Sequence, residues 1–157
     1  MFRKEFCIIL IFLIFTSCGF TPSLKVKELN LSSTKIHYKI ENSSYIARDT
    51  LRAFFKNTDQ KEAQYVININ VIESDSAVNI GTDGSVLEYK IEVLIGYEII
   101  DNKTGELIHK SQSRGFSNYD VSNSEYSTEL VKQDAIKVAI NQAAQLMDIM
   151  TQSQISK

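Results

Sequence analysis

The chain has 157 residues, 43% of them hydrophobic, which is enough for one domain with a sizeable core. Its 17 Lys and Arg stand against 19 Asp and Glu, a net charge of −2. That mild acidity argues against a general nucleic-acid binder, which carries a basic surface.

The chain starts with Arg3 and Lys4, then a short apolar run at residues 6–15, then the small pair Thr16 and Ser17 before Cys18. A charged start, an apolar run and small residues before a cleavage point are the parts of a secretory signal. The run falls short of the roughly 20 apolar residues of a membrane span. With cysteine first after the small pair, the segment resembles a bacterial lipoprotein signal. In that pattern the thiol takes a diacylglyceryl group, the leader is cut before the cysteine, and the new amine is acylated. Sulfur suits this role because its anion is accessible near neutral pH. A single acyl chain anchors only marginally, so several chains on one residue give lasting attachment. A plain cleaved signal or an uncleaved anchor are the alternatives. The expected division is a lipoprotein signal peptide at 1–17, a lipidated tether at 18–32 and a single domain at 33–157. Losing Arg3, Lys4 and Glu5 with the leader takes the net charge from −2 to −3. Cys7 leaves as well and Cys18 becomes a thioether, so the mature domain has no disulfide and rests on its core.

After the tether, Ile36, Tyr38 and Ile40 alternate with Lys35, His37 and Lys39, the period of a half-buried strand. Residues 41–44 stop it and offer helix N-caps. Across 45–55 Ile46, Ala47, Leu51, Phe54 and Phe55 gather at helical spacing. A second strand follows with Tyr65, Ile67, Ile69 and Val71 on one parity. Residues 73–85 read as a loop turning at 81–84. In the third strand Leu87, Tyr89, Ile91, Val93, Ile95, Tyr97 and Ile99 share a face. Residues 101–105 form a hairpin connection with a late glycine. The fourth strand runs from about 106 to 116, its facing obscured because Leu107 and Ile108 compete for one side. Residues 118–124 read as a polar loop in which Ser122 and Glu125 have capping-box spacing. A long helix from 125 to about 151 carries a stripe of Val131, Ala135, Val138, Ala139, Leu146 and Ile149, widened by Ile136, Ile140, Ala143, Met147 and Met150.

The order βαβββα predicts an α+β fold. It is a two-layer sandwich, a four-stranded mixed sheet with two helices on one face, strands one and two parallel and three and four a hairpin. The other sheet face displays Lys35, His37 and Lys39, then Asn68 and Asn70, Glu88, Lys90 and Glu92, with Lys110, Gln112 and Arg114 if the fourth strand faces that way. Charged strand faces commonly meet solvent, edge lysines deter strand pairing, and cross-sheet pairing with Glu92 is open too. The same face also suits a wet, polar partner surface such as a barrel interior. Lys35, Lys39, Lys110 and Arg114 are the candidate contacts for phosphate groups, lysine acting as a point charge.

Catalytic signals are weak. His37 and His109 lie on separate strands, and the sequence contains no G-x-S-x-G elbow, P-loop or H-E-x-x-H. The 101–105 loop lacks calcium-ligand spacing. The expectation is a non-enzyme with no catalytic residue, no cofactor and no metal.

The run Cys18, Gly19, Phe20, Thr21, Pro22, with Leu24 shortly after, resembles the start of mature lipopolysaccharide-assembly lipoproteins, the LptE family, alphaproteobacterial type. Tyr119, Tyr126, Asp134 and Ala135 fall where that family's C-terminal pattern puts them, and the element order is similar. The resemblance implies a lipoprotein at the periplasmic face of the outer membrane. There it plugs an LptD-like β-barrel translocon, helps the barrel assemble and helps lipopolysaccharide (LPS) reach the outer leaflet. Its partners are then the barrel, lipopolysaccharide and the membrane through the lipid anchor, with no nucleic acid. Gly19 in place of aspartate agrees with outer-membrane sorting. A periplasmic ligand-binding lipoprotein, with a concave apolar pocket between sheet and helices, is the alternative.

Overall fold

The structure, a computed structural model, describes residues 35–156. Cys18, the leader and the tether lie outside them. Strand β1 (Ile36–Glu41), helix α1 (Tyr45–Phe54), strands β2 (Tyr65–Ile80), β3 (Val86–Asp101) and β4 (Leu107–Asp120), and helix α2 (Glu125–Ile155) follow in chain order. The sheet order is β1-β2-β3-β4. β1 runs parallel to β2, and the remaining pairs are antiparallel. The expected α+β sandwich is the observed fold.

Parity explains the layers. Ile36, Tyr38 and Ile40 pair with Tyr65, Ile67 and Ile69, and β3 places Ile91, Val93, Ile95, Tyr97 and Ile99 on the same inner face, all buried. α1 begins at Ser44, whose Oγ accepts from the Ala47 N–H at 3.0 Å, as helix N-caps do. It buries Ala47 and Leu51, and Phe55 follows, stacked on Tyr38 with centroids 4.3 Å apart. Gly84 and Gly105 supply the left-handed backbone at two hairpin turns, with φ of 84° and 73°.

Four expectations need correction. Residues 73–80 are strand, not loop: Glu73 to Ala77 continue the ladder with Val93 to Tyr89. Their polar side chains do not prevent this, because backbone pairing carries the ladder and Asp75 binds Lys132 of α2 at 2.8 Å. β4 likewise continues to Asp120 through residues read as a loop. The cap of α2 is Ser124, not Ser122; Ser122 instead accepts from the Ser124 N–H and binds Thr128. Finally, Val131, Val138, Leu146 and Ile149 are 44–64% exposed, while Ala135, Ile136, Ala139, Ile140, Ala143, Ala144, Met147 and Thr151 are buried.

The seating of α2 explains that last difference. β4 turns Ser111, Ser113, Gly115 and Ser117 to the inner face, opposite Tyr97, Ile95, Val93 and Ile91. A Cβ built at Gly115 would overlap the Ala139 carbonyl oxygen and crowd the Ala143 nitrogen. Small residues on both elements thus let the helix backbone sit directly on the strand. Val131 and Val138 then overhang the outer margin of β4, where they line a shallow groove with residues 117–120, beyond any further strand. The Gln142 Oε1 accepts the Phe116 N–H of that margin at 3.1 Å.

The β1 end of the core holds a mixed environment. Burial, reinforced by nearby Asp148, pushes the Tyr38 hydroxyl above its ordinary value. Burial also raises the Asp148 carboxyl, partly offset by the hydrogen bond from Gln152 Nε2 at 2.7 Å. A carboxyl raised in the folded state binds its proton more tightly there than in the unfolded chain. It therefore subtracts stability as pH climbs from the ordinary carboxylate value through the raised one.

Two outcomes follow from this packing. Gly115→Leu should destabilise by about 3 kcal/mol or more in urea unfolding, the upper range of overpacking, since backbone rather than a flexible side chain must yield. Asp148→Asn should raise the melting temperature at neutral pH, with the gain shrinking as pH falls into the ordinary carboxylate range.

Candidate functional site

The outer face of the sheet is a grid that the register fixes. His37, Val66, Ile100 and Leu107 make one row, then Lys39, Asn68, Glu98 and Lys110, then Glu41, Asn70, Gly96 and Gln112. Beyond β1 the rows continue as Ile72, Leu94 and Arg114, as Ser74, Glu92 and Phe116, and as Ser76, Lys90 and Asn118. Every residue within the strands that parity assigned to this face is on it, including Lys110, Gln112 and Arg114 of the strand whose facing the sequence obscured, whereas Lys35 lies just before β1 and outside the register. A register shift between Ile99 and Ile100 skips Ile108, and that settles the competition between Leu107 and Ile108.

The four candidate basic residues do not form one cluster. Lys35 and Lys39 belong to the β1 margin, Lys110 and Arg114 to the β4 margin, with β2 and β3 between them. Each has an acidic partner. Lys35 Nζ lies 2.9 Å from Glu62, Lys39 Nζ 2.6 Å from Glu41, Lys110 Nζ 2.7 Å from Glu98, and Arg114 3.7 Å from Glu92. All four cations are more than half exposed. Exposed pairs of this kind contribute about 0–1 kcal/mol, so an anionic group can exchange for the carboxylate at little cost. Lys90 sits over the Phe116 ring, 4.3 Å from its centroid. The face is polar and close to charge-balanced rather than basic.

At its centre is a notch of about 460 Å³, lined among others by Glu41, Asn68, Asn70, Glu98, Lys110 and Gln112 around Gly96. Sequence reasoning passed over Gly96, although a glycine inside an otherwise alternating strand was a usable signal. Of the acidic partners only Glu92 was foreseen, without its partner Arg114, because register across strands is not written in any one strand.

The two histidines lie on opposite faces of the sheet and at opposite margins. His37 pairs with Val66 on the outer face and its Nδ1 is 2.8 Å from the Thr58 carbonyl oxygen. His109 pairs with Ile99 on the inner face, its ring 6.4 Å from that of Tyr97. They cannot share a ligand. Among the described residues no group of three His, Cys, Asp or Glu converges on a metal position. The region between sheet and helices is occupied by the packed cluster of Leu51, Ile67, Ile69, Ile95, Ile140, Met147 and their neighbours.

The family model described as LptE, Lipopolysaccharide-assembly, matches residues 33–150. No curated protein sequence matches the chain. Among solved structures, a lipoprotein of Caulobacter crescentus CB15 superposes with a TM-score of 0.63 at 18% identity, covering 78% of this chain and 90% of its own. The minor lipoprotein of Acinetobacter baumannii gives 0.57 at 13%, covering 76% and 91%. The rare lipoprotein B of Shewanella oneidensis gives 0.55 at 12%, covering 77% and 96%. At these identities the likeness is one of fold.

Proposed function

The chain belongs to the LptE family of lipopolysaccharide-assembly proteins, and on that premise we propose that it is a non-enzymatic, outer-membrane lipoprotein. In this reading it is held at the periplasmic face by acyl chains on Cys18, the residue after a leader at 1–17. It acts as plug and scaffold of an LptD-like β-barrel translocon, assisting barrel assembly and the insertion of lipopolysaccharide into the outer leaflet. The observation that carries the reading is the outer sheet face. It is a broad, polar surface in which cations and carboxylates alternate, and nothing among the described residues seals it with a second layer. Such a surface suits the hydrated interior wall of a large barrel, which is itself polar. Charged groups already compensated by neighbours fit there without leaving an unpaired charge away from water. Lys35, Lys39, Lys110 and Arg114 are the proposed contacts for lipopolysaccharide phosphates, which would take the places of Glu62, Glu41, Glu98 and Glu92.

The full chain with its native lipid should co-purify with a large barrel from gently solubilised outer membrane. A monomer recovered alone would overturn the proposal. Cys18→Ser should abolish the acyl mass and release the protein from the membrane fraction; an unmodified sulfur in the native protein would remove the anchor from the scheme.

Reversing Lys35 and Lys39 together to Glu should weaken lipopolysaccharide binding about ten-fold at low ionic strength, with the difference narrowing as salt screens it. Unchanged binding would retire Lys35 and Lys39 as contacts.

A further inference from the structure

The outer-face notch at Gly96 is the feature that neither the fold nor the charge pattern requires. Gly96 lies in the interior of β3, flanked on both sides by paired strands, and its backbone is not in the left-handed region. A Cβ built there would meet only the Asn70 carbonyl oxygen, at 4.0 Å. Gly115 shows the contrast, since its side-chain position is already filled by helix backbone. Glycine in a strand interior weakens the strand by leaving entropy to be lost and nothing to pack, and it commonly marks a place where a ligand approaches the backbone.

The lining narrows the ligand class. Four amides, Asn42, Asn68, Asn70 and Gln112, line the notch around the bare backbone of Gly96 with two carboxylates, Glu41 and Glu98, and one ammonium, Lys110. The carboxylates are bound by Lys39 and Lys110 respectively, so most of the lining is amide and carboxylate rather than cation. Amides offer donors and acceptors together, and carboxylates are acceptors with room for more than one donor. Vicinal hydroxyls, each a donor and an acceptor, match that set. Beside the notch, outside its lining, the next row on the same face is apolar, Ile72 and Leu94, of which Ile72 is 55% exposed. A sugar ring has the same division, hydroxyls at its rim and C–H groups on its faces. The volume, about 460 Å³, lies in the ~300–1,000 Å³ range of small-molecule sites.

We propose that the Gly96 notch is a saccharide subsite, in which the amides of Asn68, Asn70 and Gln112 and the carboxylates of Glu41 and Glu98 bind the hydroxyls of a neutral sugar ring laid against the β3 backbone. The site deepens the function proposed above and rests on it only for the source of the sugar, the oligosaccharide part of lipopolysaccharide.

The test is an NMR titration of the full, detergent-solubilised chain. The probe is lipopolysaccharide oligosaccharide freed of lipid and of phosphate, at concentrations on the order of 1 mM, where weak sites fill. Inorganic phosphate and maltose are separate arms. The oligosaccharide should shift the Gly96 backbone amide and the side-chain amides of Asn68, Asn70 and Gln112. Gly96→Tyr, which fills the notch, should abolish the shifts while leaving the melting temperature equal or higher. Gln112→Ala should weaken binding about five- to ten-fold, the loss of one net hydrogen bond. Maltose binding as tightly would keep the sugar class and overturn the assigned source. Failure of the oligosaccharide to move these amides, an undiminished response in Gly96→Tyr, or phosphate reproducing the shift of the Gly96 backbone amide itself would overturn the subsite. None of these readouts uses the barrel. A negative titration with barrel co-purification intact therefore removes the notch alone, and lost co-purification with a positive titration removes the plug alone.

Discussion

The structure depends on how closely α2 approaches β4. Ala135, Ala139 and Ala143 lie over a strand that offers only Ser111, Ser113, Gly115 and Ser117 on its inner side, and at Gly115 helix backbone occupies the space a side chain would need. Interiors are packed to crystal-like density, so a helix seated this low has one position. From it the core side chains of α2, Ile136, Ile140 and Met147, reach the sheet's apolar face beside Leu51 of α1. With no disulfide among the described residues, the sheet is held by this packing and by its own ladder. The same geometry assigns all burial to one face of the sheet and leaves the other to polar chemistry.

Much of this could be read from the chain. The alternation of β3 is unambiguous because a central strand sealed on one face needs an apolar residue at every second position. The α1 crossover predicted the parallel pairing of β1 with β2. What failed has a shared physical cause. β4 carries serine and glycine where an ordinary strand carries valine or isoleucine, so its inner side had no hydrophobic signature. The partner surface of α2 is correspondingly made of alanines. Hydropathy gave more weight to Val131, Val138, Leu146 and Ile149, which the helix turns outward. The distal half of β2 was missed for a related reason: hydrogen bonds to β3 and the ion pair between Asp75 and Lys132 hold it, and neither leaves a mark in local composition.

The candidate site was half legible. Strand parity placed Lys35, Lys39, Lys110 and Arg114 on one side of the sheet. It could not supply the distance between the two sheet margins, nor the carboxylates opposite each cation, since both depend on register between strands distant in sequence. Glu98 faces Lys110 only because the β3–β4 turn, with Asp101 Oδ1 accepting from the Lys103 and Thr104 amides at 2.8 and 2.9 Å, fixes where the hairpin folds back. Polar faces of this kind are easily taken for passive solvent exposure; the empty position at Gly96 distinguishes this one.

The amide of Gln142 on the Phe116 N–H closes part of β4's free margin from within the molecule. An outermost strand with unsatisfied backbone donors invites recruitment of a neighbour's strand. Here a recruit would have to evict a side chain anchored on the long helix and then fit beneath overhanging valines. The molecule thus has a built-in deterrent to fibrillar self-association on this margin, supplied by one glutamine on a neighbouring element in addition to the charges of Lys110 and Arg114 in the strand itself.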